Sequence, residues 1–377
     1  MTVPAPREAS PPSATPSSSA PPLLQADNLS TRYPVRRLLA ERLARRPRRW
    51  VRAVDGVSFT LRRGEMLALV GESGCGKTST AQTILRMVEA AGGTIRFEGA
   101  DITTWSQRRL RPLRRRIQMI YQDPYESLDP RFRVRDTVEE PLRVHGIGQS
   151  RSERRHLVTA ALERAGLAPA ELYLDRYPHE LSGGQRQRVA IAASLVLGPA
   201  LLLADEPVSM LDVSVRAGVL ALVDSLRQDG SLGILMITHD LSTAAHFADR
   251  IAVMYLGRIV EYGPARQVVR DPRHPYTRAL LSVVPQRDPR AQAAPQILTG
   301  ETPDPVDIPA GCRFRARCPI AEDRCATIDP QLAPAPAAEP VRGEPVRGEP
   351  AAGEPAAPAD QDHLVACLLA GTPPAGV

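Results

Sequence analysis

An apolar run, Met66-Leu67-Ala68-Leu69-Val70, leads directly into Gly71-Glu72-Ser73-Gly74-Cys75-Gly76-Lys77-Thr78 and then into a helical pattern. A buried strand, a glycine-rich turn and a helix start, in that order, match the G-x-x-x-x-G-K-[ST] loop, in which backbone N–H groups turn inward around a row of phosphates. Glycines permit that backbone path and the helix N-terminus adds positive potential; Lys77 reaches the outer phosphates and the Thr78 hydroxyl can ligate Mg²⁺. Lys77 is also the only lysine among the 48 Lys and Arg residues. A chain that uses arginine everywhere else keeps this lysine where a compact ammonium is needed and a planar guanidinium would not fit. Cys75 reads as a loop filler rather than a redox site.

Other short apolar runs alternate with helical patterns. Ile117 to Tyr121, Leu201 to Ala204, Ile234 to Thr238 and Ile251 to Tyr255 join Met66 to Val70 as predicted buried strands. Helices are predicted over Lys77 to Val88, Glu153 to Ala165, Gln185 to Leu197, Ser214 to Gln228 and Leu241 to Ala248. Strands joined by crossover helices imply an α/β fold with a P-loop NTPase core, and the long insert before Leu201 is mostly helical.

The second chemical feature is Leu201-Leu202-Leu203-Ala204-Asp205-Glu206, an apolar strand that ends in two carboxylates. Such a strand can deliver Asp205 to magnesium and Glu206 to an attacking water. The third is Leu181-Ser182-Gly183-Gly184-Gln185, which opens a helix and so offers a second anion site. On those residues alone a plain helix cap is the simpler reading. A later strand ends in Thr238-His239-Asp240, with His239 at its tip.

Taken together, the phosphate loop, Leu-Ser-Gly-Gly-Gln, Asp205-Glu206 and Thr238-His239-Asp240 resemble the nucleotide-binding subunits of ATP-binding cassette (ABC) transporters. The resemblance runs from about Leu24 to Asp329 and resumes at His363. It is closest to the ATPase subunits of oligopeptide and dipeptide importers. Gln122-Asp123-Pro124-Tyr125-Glu126-Ser127-Leu128-Asp129-Pro130, Tyr177-Pro178-His179-Glu180 and His274-Pro275-Tyr276-Thr277-Arg278-Ala279-Leu280-Leu281 carry that closer likeness. It implies that Gly71 to Ser79, with Lys77, Thr78 and Ser79 at the helix start, bind ATP. It also implies that Tyr33 stacks on adenine and that Gln122, Thr78 and Asp205 bind Mg²⁺. Glu206 is then the catalytic base and His239 holds the γ-phosphate. Leu181, Ser182, Gly183, Gly184, Gln185 and Asp212 would face the ATP of a partner chain in a head-to-tail pair.

The organisation expected from this likeness is a Pro/Ser-rich tail over 1–23 and an ABC ATPase domain over 24–265, with a helical subdomain at about 123–198. An extension of the oligopeptide-transporter type follows at 266–330, then a low-complexity spacer at 331–360 and the end of the extension at 361–377. The 37 prolines crowd into the two low-complexity stretches, and a Glu-Pro-Val-Arg-Gly-like pentad recurs from Glu339 to Glu354. The formal charge of +6 could suit a polyanion, but its arginine bias reads as coding preference, and no nucleic-acid partner is expected. No secretory signal and no window of about 18 apolar residues is present, so the chain is expected at the cytoplasmic face of the cell membrane, as a peripheral subunit. The expected partners are a second ATPase subunit (a paralogue or a second copy), two membrane permeases and an extracytoplasmic solute-binding protein.

Cys312, Cys318, Cys325 and Cys367 cluster towards the C-terminus. Cytosolic thiols favour metal ligation over disulfides, with zinc, an iron–sulfur cluster and unligated thiols all open. Resemblance of Gly311 to Cys318 and Val365 to Cys367 to peptide-importer ATPases implies a four-iron four-sulfur cluster. Arg36, Arg37, Arg42, Arg45, Arg46, Arg48 and Arg49, interleaved with Leu38, Leu39 and Leu43, read either as a basic amphipathic helix near anionic lipid or as a solvated loop. Similar inserts mark one ATPase type of these importers. Met210 and Ala193 depart from the family pattern towards oligosaccharide importers, so peptide and oligosaccharide are both open as solutes. A non-transport cassette ATPase is disfavoured by the lack of a long coiled-coil insertion or a second cassette. A GTPase needs Asn-Lys-x-Asp, which a chain with one loop lysine cannot hold.

Overall fold

The computed structural model describes residues 21–37, 47–228, 230–284, 298, 300–336 and 363–370. Most of the expected tail and spacer, and the centre of the arginine-rich insert, lie outside these. Two sheets form the frame. The larger contains five parallel strands in the order β6 (Ile117–Ile120), β7 (Leu201–Asp205), β8 (Gly233–Thr238), β3 (Met66–Val70) and β9 (Arg250–Tyr255). It extends through antiparallel β10 (Arg258–Pro264), β12 (Leu364–Val365) and β11 (Ala333–Pro334).

Alternate residues of the central strands enter different cores. Met66, Ala68, Val70, Leu202, Ala204, Ile234 and Met236 pack on one face. Leu67, Leu69, Leu201, Leu203, Leu235 and Ile237 pack on the other. Because both faces are covered, these strands read as unbroken apolar runs. All five predicted strands are present: Met66–Val70 has the expected ends, and each of the other four differs by one residue at one end.

The smaller sheet was not legible as strands. Its order is β2 (Trp50–Leu61), β1 (Leu24–Pro34), β4 (Gly92–Phe97) and β5 (Ala100–Asp101), all antiparallel. One face packs on the second core through Leu24, Ala26, Leu29, Val54, Val57 and Phe59, while intervening residues meet solvent. That alternation produces no apolar run. The sheet carries Tyr33 towards the start of the helix Lys77–Ile84.

Between β6 and β7, the helices Val134–His145, Arg151–Arg164 and Gly183–Leu195 form a lobe around Val138, Leu142, Val158, Leu162, Val189 and Ala192. Only the last two were predicted. Their starts are earlier than expected because serine caps set them: Ser150 Oγ accepts from the Glu153 N–H at 3.1 Å and Ser182 Oγ from the Gln185 N–H at 3.3 Å. The helix after the phosphate loop ends at Ile84, short of the expected Val88, and Arg86 takes a φ of +56° there. The predicted 214–228 and 241–248 helices span Val213–Ser225 and Leu241–Phe247.

The C-terminal part is stitched onto the edge of the large sheet. The helices Ala265–Arg270 and Pro275–Ser282 follow β10. Glu261, fully buried on β10, accepts from the N–H groups of Arg273 (2.7 Å) and His274 (3.0 Å) and pairs with His363 Nε2 at 2.8 Å. The returning tail is thereby held beside a strand of the central sheet.

Candidate functional site

The phosphate loop owes its path to close backbone approach. A Cβ on Gly71 would meet Met254 O at 2.2 Å, and one on Gly76 would meet Ala53 O at 2.0 Å. Gly76 also has φ +108°, in the region that favours glycine, and is the residue before the helix Lys77–Ile84. Lys77 is 5% exposed; its Nζ donates to Gly71 O at 2.7 Å and Glu72 O at 2.9 Å, so the ammonium lies along the loop. Cys75 is buried, and that burial pushes its thiol pKa up against the opposing influence of Lys77.

A cleft of 740 Å³ opens over this loop. Glu72, Ser73, Gly74, Gly76, Lys77, Thr78 and Ser79 form its floor, and Gln122, Glu206 and His239 one flank. Tyr33, Val51 and Ala53 form the other flank. The Tyr33 hydroxyl lies 3.4 Å from Ser79 Oγ and 3.4 Å from Gln82 Oε1, which brings this aromatic to the cleft despite the insert that follows it in sequence.

The acidic pair sits where β7 ends. Asp205 is 4% exposed, and its Oδ1 is buried without a hydrogen-bond partner. Burial raises its pKa; the Thr78 hydroxyl bond opposes the shift, Glu206 adds to it and Lys77 opposes it. Thr78, Gln122 and Asp205 line an adjoining cleft, so the three expected magnesium ligands are brought together. Glu206 takes φ +44°, a left-handed conformation costing about 1–3 kcal/mol for a residue with a side chain. Its Oε2 accepts from Gln122 Nε2 at 3.2 Å, and its Oε1 lies 3.2 Å from His239 Nδ1. His239 is exposed, at the tip of β8.

The Leu181 to Gln185 segment does not join this constellation: none of its residues lines either cleft. Leu181 is buried in the first core. Ser182 and Gln185 cap the helix reciprocally, Gln185 Oε1 accepting from the Ser182 N–H at 3.0 Å. Gly184 packs closely on the next helix: a Cβ there would meet Val215 Cγ1 at 2.5 Å and displace that side chain. Asp212, exposed, precedes the helix Val213–Ser225 and also stays out of the clefts.

Sequence reasoning missed the contribution of the C-terminal extension. Leu280 and Pro305 line the 740 Å³ cleft. The Tyr276 hydroxyl accepts from the Glu72 N–H at 2.9 Å, and Arg317 forks onto the Glu72 carboxylate. Tyr255, Tyr276 and Phe314 pack with ring centroids 4.9–5.5 Å apart beneath this contact. No local pattern signals the contacts of Glu72 with Tyr276 and Arg317, which lie 204 and 245 positions further along the chain.

The four cysteines lie in one electrostatic neighbourhood. Burial first, then the other three thiols, pushes the Cys367 pKa up to about 11. Cys312 N–H donates to Cys325 O at 2.9 Å, and Gly311 approaches the Cys325 backbone too closely for any side chain. Yet no group of three or more His, Cys, Asp or Glu among the described residues is arranged to hold a metal ion. Burial raises the thiol pKa of Cys312, Cys318 and Cys367, and the expected iron–sulfur ligand set is not seen ready-formed among the described residues.

Comparison with known proteins matches the ABC transporter family profile to residues 54–209 and the oligopeptide/dipeptide transporter C-terminal region to residues 260–325. The dipeptide transport ATP-binding protein DppF of Escherichia coli K12 is 46% identical over 312 residues, 82% of this chain and 91% of that protein. The oligopeptide transport ATP-binding protein AppF of Bacillus subtilis 168 is 46% identical over 288 residues, 76% and 87% of the two chains. Among solved structures, a dimeric post-hydrolysis state of the ATP-binding cassette MJ0796 bound to ADP and Pi is similar at a TM-score of 0.56 and 26% identity, covering 64% of this chain and 99% of that one.

Proposed function

The chain belongs to the ABC transporter ATPases, and from that premise we propose that it is the ATP-hydrolysing subunit of an importer that takes up dipeptides and oligopeptides. The observation that carries this reading is the Glu206 carboxylate held between Gln122 and His239 above a phosphate loop, in a chain that also bears the oligopeptide-type C-terminal region.

The residues divide the work as follows. Tyr33 offers an aromatic face to the base, and the N–H groups of Gly71 to Ser79 with Lys77 hold the phosphates. Thr78, Gln122 and Asp205 would hold Mg²⁺; the unpartnered Asp205 Oδ1 and an all-oxygen donor set fit a hard cation. That ion would neutralise charge on the terminal phosphates. Glu206 takes the proton of the attacking water, while Gln122 and His239 fix the carboxylate and contact the γ-phosphate side. Leu181 to Gln185 and Asp212, which stay out of this chain's own clefts, serve the ATP of a second ATPase subunit, so one chain carries half of each complete site. Two permeases and an extracytoplasmic solute-binding protein complete the importer. No helix among the described residues is long and apolar enough to cross a membrane, and attachment is peripheral, through the permeases.

The test is uptake by the assembled importer in vesicles with ATP inside the compartment that the ATPases face. ATP-dependent accumulation of labelled dipeptide or oligopeptide is expected. Accumulation of an oligosaccharide with no peptide uptake would move the chain to the alternative solute class. ATP turnover without any import would place it among the non-transport cassette ATPases.

A second reading concerns the cysteines, and the observation favouring it is the return of Cys367 to the other three through the pairing of β12 with β10. Their thiols have the chemistry for a thiophilic group, and a four-iron four-sulfur cluster would be held by Cys312, Cys318, Cys325 and Cys367. Anaerobic purification is expected to yield iron with acid-labile sulfide. Zinc, or neither, would end that reading without touching the ATPase assignment.

A further inference from the structure

Glu72 presents a difficulty that the phosphate-loop motif leaves unexplained. It lines a cleft that must receive a triphosphate, and an uncancelled carboxylate there would oppose the binding of like charge. The structure supplies the counter-charge from far along the chain. Arg317 Nη1 donates to Glu72 Oε2 at 2.7 Å and Nη2 donates to Oε1 at 3.1 Å, a two-bond fork on one carboxylate. Thr302 Oγ1 adds a third donor to Oε2 at 3.3 Å. The Arg317 side chain is only 9% exposed, with its guanidinium 6.0 Å from the centre of the Tyr255 ring, while the Glu72 side chain is 32% exposed, so the arginine is held by packing and the carboxylate remains open to solvent and salt. Hydrogen bonding to Glu72 is the first cause of an upward shift in the Arg317 pKa, which keeps it charged.

The main chain of Glu72 is tied at the same point. Its N–H donates to Tyr276 Oη, and its carbonyl accepts from Lys77 Nζ. One residue therefore joins the phosphate-binding lysine to the C-terminal extension, and all three of its polar groups are committed.

We propose that Arg317 is a positioning residue of the ATP site: the extension neutralises and orients Glu72, so that the phosphate loop meets the triphosphate without an opposing charge. The inference rests on the assignment of the cleft as the ATP site. It makes the extension part of that site within the same chain. The arginine acts through Glu72.

The test compares ATP and adenosine binding by the full-length chain in four forms: unaltered, Arg317→Ala, Glu72→Gln, and the two combined. Arg317→Ala should weaken ATP binding about tenfold, the scale of one uncancelled like charge roughly 12 Å from the phosphates at an effective dielectric near 20, and leave adenosine binding unchanged. The ATP penalty should shrink as salt is raised. Adding Glu72→Gln should restore ATP affinity to the level of Glu72→Gln alone, because no charge is left to cancel. A double variant as weak as Arg317→Ala, or an equal loss for adenosine, would show that Arg317 only supports the fold and would overturn the proposal. Unchanged ATP binding by Arg317→Ala would overturn it as well. Should Arg317→Ala not fold, Arg317→Gln with and without Glu72→Gln makes the same comparison with the same outcomes. Failure of the unaltered chain to bind ATP would instead remove the site assignment itself.

Discussion

His239 Nδ1 lies 3.2 Å from Glu206 Oε1, and this contact links the C-terminal ends of two neighbouring parallel strands, β8 and β7. The two residues are 33 positions apart in sequence, yet Asp205 pairs with Ile237 in the sheet, which puts the next residue along β7 within reach of the tip of β8. The strands deliver both groups to one edge of the cleft.

Glu206→Gln keeps the size of the side chain and can still accept a hydrogen bond, but it cannot take a proton from water. ATP binding should be retained while turnover falls by about 10²–10⁴-fold. Equilibrium binding and steady-state hydrolysis by the same preparation check this; full turnover would remove Glu206 from its role.

Asp205 predicts an opposition between stability and function. Its folded pKa is raised, so its contribution to stability is complete below the ordinary carboxylate value and lost as pH rises through the raised folded value. At neutral pH the ionised form is therefore a cost in the nucleotide-free protein. Asp205→Asn should raise the nucleotide-free melting temperature by about 2 °C near pH 7, the shift shrinking as pH falls towards the ordinary range. The same variant should lose the extra stabilisation that magnesium adds to ATP. Melting curves with ATP, with and without magnesium, report both effects.

Ser182→Ala separates the proposed second anion site from the phosphate loop. Loss of the cap should destabilise the chain by about 1 kcal/mol. Because Ser182 lines neither cleft, ATP affinity of the single chain should stay within about twofold, as for distant independent sites. Hydrolysis by the assembled ATPase pair should nevertheless drop by at least about tenfold, if a donor to the partner's ATP is lost. Parallel loss of binding by the single chain would contradict the division of the site between two chains.

Glu261→Ala strips one acceptor from two buried N–H groups and from His363. A loss of about 3 kcal/mol or more is expected in denaturant unfolding. His363→Ala, which leaves the Arg273 and His274 bonds in place, should cost less and should speed labelling of Cys367 by a thiol reagent as the tail loosens. Equal labelling rates would show that the His363 contact does not hold the tail.

Local chemistry was enough to read the phosphate loop, the buried strands and the acidic pair. Glycines around one lysine, an unbroken apolar run with both faces covered, and two carboxylates at a strand end are each constrained by their immediate neighbours. The same holds for the capped helix start at Ser182. The antiparallel sheet was hidden because its strands alternate buried and exposed residues and so leave no run to detect. Tertiary structure alone decided what completes the cleft. Arg317 reaches Glu72, Tyr276 reaches the Glu72 main chain, and Cys367 returns to its fellows because β12 pairs with β10. Such contacts join segments far apart along the chain, and their register depends on how the sheets and aromatic side chains pack. Lys77 marks its own site through local sequence; the charge balance around it depends on residues that only folding brings near.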